Sequence, residues 1–255
     1  MDIGTHIKKE KTFTNTLKLF YGERENANRP VQIFSGSPKS WRRPKILEED
    51  FKDTNDFIVD NNVSVFVHSI YLLNLCWNVD NFTKKSLEYI KWEMETGIKC
   101  GFKGVVIHTG KSVKLQLNYA LNNMYKNIVK ILEFTNPSCP LILETSSGQG
   151  TETLHEYKEF QDFYRRFTEE QRTKLKICID TCHVFAAGYD PLDFIMGWNL
   201  KFPNSLKLVH YNDSVEKCGC KKDRHAFPGT GHIGATKMLE IQKWCGENNI
   251  PMVME

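Results

Sequence analysis

Short apolar runs recur along the chain at intervals of about thirty residues, the length of a β-α-β unit. They read DIGTHI (2–7), VQIFSG (31–36), VSVFVHS (63–69), GVVIHTG (104–110), LILETSSG (141–148), LKICIDTCH (175–183), LKLVHYND (206–213) and PMVME (251–255). Each is rich in Val or Ile or both, or otherwise apolar, too short for a core helix, and fenced by Gly, Pro or Asn, which marks buried strands. The segments between them have helical period. In NFTKKSLEYIKWEMETGIKCG (81–101), Leu87, Ile90, Met94 and Ile98 share a face, and Gly97 and Gly101 mark its end. VKLQLNYALNNMYKNIVKILEF (113–134) and EYKEFQDFYRRFTEEQ (156–171) repeat the pattern. Eight strands alternating with seven helical segments predict parallel pairing in a single domain over residues 1–255, an α/β protein with a (β/α)8 TIM barrel. An open doubly wound sheet is disfavoured because no G-x-G-x-x-G follows a strand. The eighth run ends on Glu255, so the expected barrel apparently lacks its last helix, which would weaken it and its hold on any ligand at Glu255.

The C-terminal ends of the runs carry polar residues that their starts do not. In order they are His68, His108, Glu144, Asp180 with His183, and His210; the loop segment DRH adds Asp223 and His225, and the chain ends on Glu255. Singly, each is more often a hydrogen-bonded edge residue or a helix cap than a ligand. Together, nine groups from the His, Asp and Glu inventory would converge on the barrel's active face. Four carboxylates in one cavity would raise one another's pKa unless cations neutralised them. Mixed imidazole and carboxylate donors suit zinc, with manganese as a possible substitute. Asp223 and His225, two apart in an extended segment, point the same way and can share an ion, whereas Asp180 and His183 straddle a turn. Nine ligands exceed one tetrahedral site and fit two or three ions, a cluster suited to phosphate-ester hydrolysis.

Composition changes this picture little. Hydrophobic residues make up 40% and charged residues 25%, and 34 basic against 31 acidic residues give a net charge of +3. The N-terminus has no signal-peptide pattern and no run is long and apolar enough to span a bilayer, so an intracellular protein of cytoplasm or nucleus is expected. The eight cysteines are mostly isolated and read as reduced thiols. CGC at 218–220 has no second pair and falls short of a structural zinc site.

CIDTCHVFAAG, HYNDSVEKCGCKKDRH and LETSSGQG, with IGTHI, QIFSGSPKSW, VHSIYLLNL and GVVIHTG in matching order, resemble the endonuclease IV family of zinc-dependent apurinic/apyrimidinic endonucleases from Asp2 to Glu255. The resemblance implies a monomer with three zinc ions acting on double-stranded DNA that contains abasic sites. His68 and His108 would hold the first ion, bridged by a catalytic Glu144 to a second held by Asp180, His210 and Glu255. His183, Asp223 and His225 would hold the third. A hydroxide would attack the phosphate 5′ to the abasic sugar, leaving a 3′-hydroxyl and a 5′-deoxyribose phosphate. Lys39, Tyr71 and Leu72 would fill the DNA stack vacated by the flipped nucleotide, and Arg42, Arg43, Lys221 and Lys222 would touch phosphates. The sequence departs from the family at Thr109, usually Pro, at Ser147, usually Ala, at Lys39, commonly Arg, and in IKKEKTFTNT, usually glycine-rich. Two other readings compete: a xylose-isomerase-like metal-dependent sugar isomerase, which would need fewer ligands and a lysine beside them, and a non-catalytic lesion-binding protein.

Overall fold

The computed structural model describes residues 2–23, 26–78 and 80–255. Eight parallel strands close into a barrel: β1 (Gly4–Ile7), β2 (Val31–Phe34), β3 (Val65–His68), β4 (Val105–His108), β5 (Leu141–Glu144), β6 (Leu175–Asp180), β7 (Leu206–His210) and β10 (Met252–Met254). Chain order is spatial order, and β10 closes the ring between β7 and β1. A two-stranded antiparallel hairpin, β8 (Asp213–Ser214) with β9 (His225–Ala226), rises from the loop after β7.

Helices α1 (Phe13–Tyr21), α2 (Glu48–Asn61), α3 (Asp80–Cys100) and α4 (Leu117–Leu132) fill the first four connections, and α9 (Ala235–Glu247) precedes β10. The two remaining connections differ from expectation, because each carries two helices. The helical pattern over 156–171 divides into α5 (Tyr157–Arg165) and α6 (Glu169–Lys174). Thr168 starts the second helix: its side chain accepts from the Gln171 N–H while Gln171 caps the Thr168 N–H. The strand expected to run to residue 183 stops at Asp180, whose carboxylate accepts the His183 N–H at 2.9 Å and caps α7 (Thr181–Ala187). Ala186 and Ala187 end that helix, closed by Gly188 in the left-handed region at φ 109°. Asp190 then caps α8 (Pro191–Lys201). The seventh strand likewise ends at His210 rather than at residue 213.

Strand periodicity accounts for the layering. Val65, Val67, Val105, Ile107, Leu141, Leu143, Ile177, Ile179, Val209 and Met252 face outward into the main core with the helices. Residues of opposite parity, Phe66, Val106, Ile142, Cys178, Leu208 and Val253, form a separate apolar plug inside the barrel. Two residues further along these same strands stand His68, His108, Glu144, Asp180, His210 and Glu255. A period of two thus puts six polar side chains in the layer above the plug. Among the described residues no helix is long and apolar enough to cross a membrane.

Candidate metal centre

All nine residues singled out in the sequence meet at the C-terminal mouth of the barrel. His68, His108 and Glu144 form one group, Glu144, Asp180, His210 and Glu255 a second, and His183, Asp223 and His225 a third; within each, donor atoms lie within 4.8 Å of one another. Glu144 joins the first two. Its Oε2 lies 3.1 Å from His68 Nε2 and 3.4 Å from His108 Nε2, while its Oε1 lies 3.2 Å from His210 Nδ1. In the third group Asp223 reaches His225 Nε2 at 3.0 Å with one oxygen and His183 Nε2 at 3.2 Å with the other. Asp180 and His183 fall in different groups although three residues apart, because the strand ends between them.

These donors fit metal ions. Glu144 Oε1, His210 Nδ1 and His225 Nε2 are buried yet accept or donate no hydrogen bond, a costly state for polar atoms that nothing else occupies. The opposite nitrogen of three of the five rings is engaged: His68 Nδ1 with the Ser69 carbonyl at 2.7 Å, His183 Nδ1 with the Thr145 carbonyl at 2.8 Å, and His210 Nε2 with Gln32 Oε1 at 2.9 Å. Such outer bonds fix the tautomer and turn the free lone pair toward the cluster. A fourth combination, Asp180, Cys182 and His225, shares two residues with the others. The Cys182 thiol donates to the Arg224 carbonyl at 3.6 Å, and burial pushes it up to about 12.

The electrostatics refine one expectation. Burial and Glu144 both push the Glu255 carboxyl upward, but imidazoles compensate the carboxylates. Burial opposes ionisation of Glu144, but His210 and His108 outweigh it and hold the carboxyl well below its ordinary range. Burial likewise opposes ionisation of Glu255 and Asp223, and neighbouring imidazoles again prevail and lower both. Reciprocally, burial disfavours the charged form of His68 and His225, yet Glu144 and Glu255 around the first, and Asp180 and Asp223 beside the second, lift each to about 9. Without metal, imidazolium groups balance the acids, and metal uptake must displace their protons.

Sequence reasoning missed the residues that orient this set. Gln32 bridges His210 and Glu255, donating to Glu255 Oε1 at 2.7 Å. His6 lies 3.5 Å from the same oxygen. Asn212 donates to Asp180 Oδ2 at 2.7 Å and accepts the Glu255 N–H at 3.0 Å. A signal existed for two of them, since GTHI and VQIF each hold one large polar residue inside an otherwise strand-like run.

The three residues assigned to DNA lie around this mouth. Tyr71 is half exposed, with its ring 5.7 Å from that of His68 and 5.6 Å from that of His108. Its N–H bonds the Pro38 carbonyl at 3.0 Å, tying the β3 loop to the β2 loop that carries the exposed Lys39. Tyr71 and Leu72 line a cavity of about 140 Å³ with His108, His183 and Asp223.

The profile of the family described as "Xylose isomerase-like TIM barrel" matches residues 29–243. "Probable endonuclease 4" of Haloquadratum walsbyi is 31% identical over 245 residues, 91% of this chain and 84% of that protein. The "Probable endonuclease 4" of Haloarcula marismortui is 30% identical, covering 88% of this chain and 82% of its own length. This chain is an endonuclease IV-like member of the family. Endonuclease IV from Thermus thermophilus superposes with a TM-score of 0.85 at 22% identity, over all of this chain and 92% of that one. A D-tagatose 3-epimerase-like protein superposes at 0.73 with 17% identity. At those identities the two structures speak for a shared barrel alone, and the endonuclease IV-like assignment rests on the sequence relatives.

Proposed function

We propose that this protein is a zinc-dependent DNA repair endonuclease that hydrolyses the phosphodiester 5′ to abasic sites in duplex DNA, leaving a 3′-hydroxyl and a 5′-deoxyribose phosphate. The observation that carries this reading is the division of one buried cage into three donor groups, two of them joined by the oxygens of Glu144. His68, His108 and Glu144 would hold one ion, Glu144, Asp180, His210 and Glu255 a second, and His183, Asp223 and His225 a third. When bound, zinc supplies Lewis acidity, activating water and stabilising negative charge on phosphate oxygens, and manganese is a possible substitute.

The chain's own residues do the remainder. Glu144 would serve both of the first two ions, because its two oxygens face opposite groups. Tyr71, Leu72 and Lys39 enter the duplex at the lesion, where an abasic nucleotide costs least to turn out of the stack. The exposed Tyr71 ring beside His68 and His108 then forms a wall for that nucleotide. Arg42 and Arg43, on the same loop as Lys39, contact phosphates without reading sequence. The protein acts as a monomer inside the cell.

The test is a duplex with one abasic analogue, incubated with purified protein in magnesium-free buffer. The expected result is a single nick with a 3′-hydroxyl end and no cutting of the intact duplex. Failure to nick after zinc reconstitution, or a strict need for magnesium, would overturn the reading. Binding without nicking would point to the lesion-binding alternative.

A further inference from the structure

The stretch HYND contains one acid that the cage leaves unused. Asp213 follows His210 and Asn212, but its fully buried carboxylate turns away from the metal groups. Among the described residues its hydrogen bonds all come from main-chain N–H groups. Oδ1 accepts from Ser214 at 2.7 Å and Ile233 at 2.9 Å, and Oδ2 accepts from Gly229 at 3.0 Å, Gly231 at 2.9 Å and Gly234 at 3.3 Å. One carboxylate therefore gathers the 229–234 loop against β8. The His232 N–H adds a bond to the Ser214 carbonyl at 2.7 Å. Glycine is required here: a Cβ on Gly231 would lie 2.3 Å from the Ser214 oxygen and 2.5 Å from Asp213 Oδ1, and Gly229 and Gly234 have φ of 85° and 86°.

The strand so anchored pairs with the one that carries His225 of the third donor group. Asp213 pairs with Ala226 and Ser214 with His225 in the hairpin, and Asp223 lies two residues before His225. Besides that anchor, Asp223 and His225 are held by the two-residue ladder, by the Val215 N–H on the Arg224 carbonyl at 2.9 Å and by the Asp223 N–H on Gln149 Oε1 at 3.2 Å, while His183 stands on α7; the ligands of the other two groups stand on the barrel strands or, for Glu255, directly after one. A two-residue ladder is too short to fix a side chain by itself.

We infer that Asp213 is a positioning residue for the third metal group: its carboxylate sets the root of the hairpin and so holds Asp223 and His225 against His183. The inference rests on the metal reading above. Asp213→Asn tests it, because the change keeps the shape but puts an NH2 against N–H donors that need an acceptor. Asp50→Asn is the control. Asp50 is another buried carboxylate that accepts main-chain N–H groups, from Phe13 and Thr14 at 3.0 Å each, but it joins α1 to α2 far along the chain from any candidate ligand.

Zinc per chain is measured by elemental analysis after dialysis at low free zinc, alongside thermal melting. The expected result is that D213N loses about one of three ions, with 10–100-fold weaker retention, which excess zinc restores, while D50N melts earlier but keeps the wild-type zinc content. If D213N retains full zinc while melting like D50N, Asp213 is an ordinary structural anchor and the inference fails. Should D213N not fold, Gly231→Ala presses on the same contact and carries the same expectation. A wild-type chain that takes up no zinc overturns the metal reading itself, and the inference with it.

Discussion

Glu144 is the residue whose loss reaches furthest, because its two oxygens serve two donor groups. Glu144→Ala is expected to release one to two ions and to lower nicking by about 10³-fold or more. Tyr71→Ala, which removes a ring beside His68 and His108 but no donor atom, should keep its zinc and mainly weaken DNA binding. Equal effects from both changes, in zinc content and in nicking, would refute this division of roles. A second residue-scale expectation concerns Glu93, which is fully buried and accepts from the Ser35 and Ser69 hydroxyls. Burial pushes its carboxyl up to about 7, against those hydroxyls and His68. A raised carboxyl favours the protonated fold, so its contribution is present below the ordinary value near 4.5 and is lost as pH rises through 7. The span is roughly 3 kcal/mol. Glu93→Gln should therefore lose less stability between pH 5 and 8 than the wild type, and parallel melting curves would show that Glu93 does not titrate there. Most of the cage was legible residue by residue, since a His or acid closing an apolar run is conspicuous. The supporting layer was not: Gln32 and Asn212 are ordinary amides until the closed barrel sets them against His210, Asp180 and Glu255.

At the scale of elements, a period of two carries the information. The same parity that buries Phe66, Val106 and Ile142 inside the barrel delivers His68, His108 and Glu144 one layer higher. This is why strand patterns in the sequence located both the fold and the site. The plug is accordingly part of the site's foundation. Phe66→Ala should cost about 3–5 kcal/mol through the cavity it leaves, with looser zinc retention, whereas Leu200→Ala, at an exposed position of α8, should change neither. Comparable losses in both, measured by denaturant unfolding and zinc content, would contradict the layered account. Element boundaries were harder to read, because they depend on single caps. Thr168 divides one helical pattern in two, and Asp180 ends a strand while starting a helix. The β8–β9 hairpin, with only two residues per strand, gives no periodic signal at all.

For the whole molecule, the barrel and the metal cage are separable in energy. The core runs continuously around the barrel and does not depend on the nine donors, and imidazolium–carboxylate pairing balances the cage when metal is absent. Chelation is therefore expected to lower the melting temperature by about 5–10 °C while preserving the far-ultraviolet circular dichroism. Collapse of that spectrum on chelation would mean that metal is needed for folding itself. Function should respond far more sharply than fold. The most direct test is to strip the protein with a strong chelator and titrate zinc back while following the nicking rate on a duplex with one abasic analogue. The rate should be near zero without zinc and rise to a plateau at about three equivalents per chain. Full activity in the stripped protein, or recovery with magnesium but not with zinc, would contradict it.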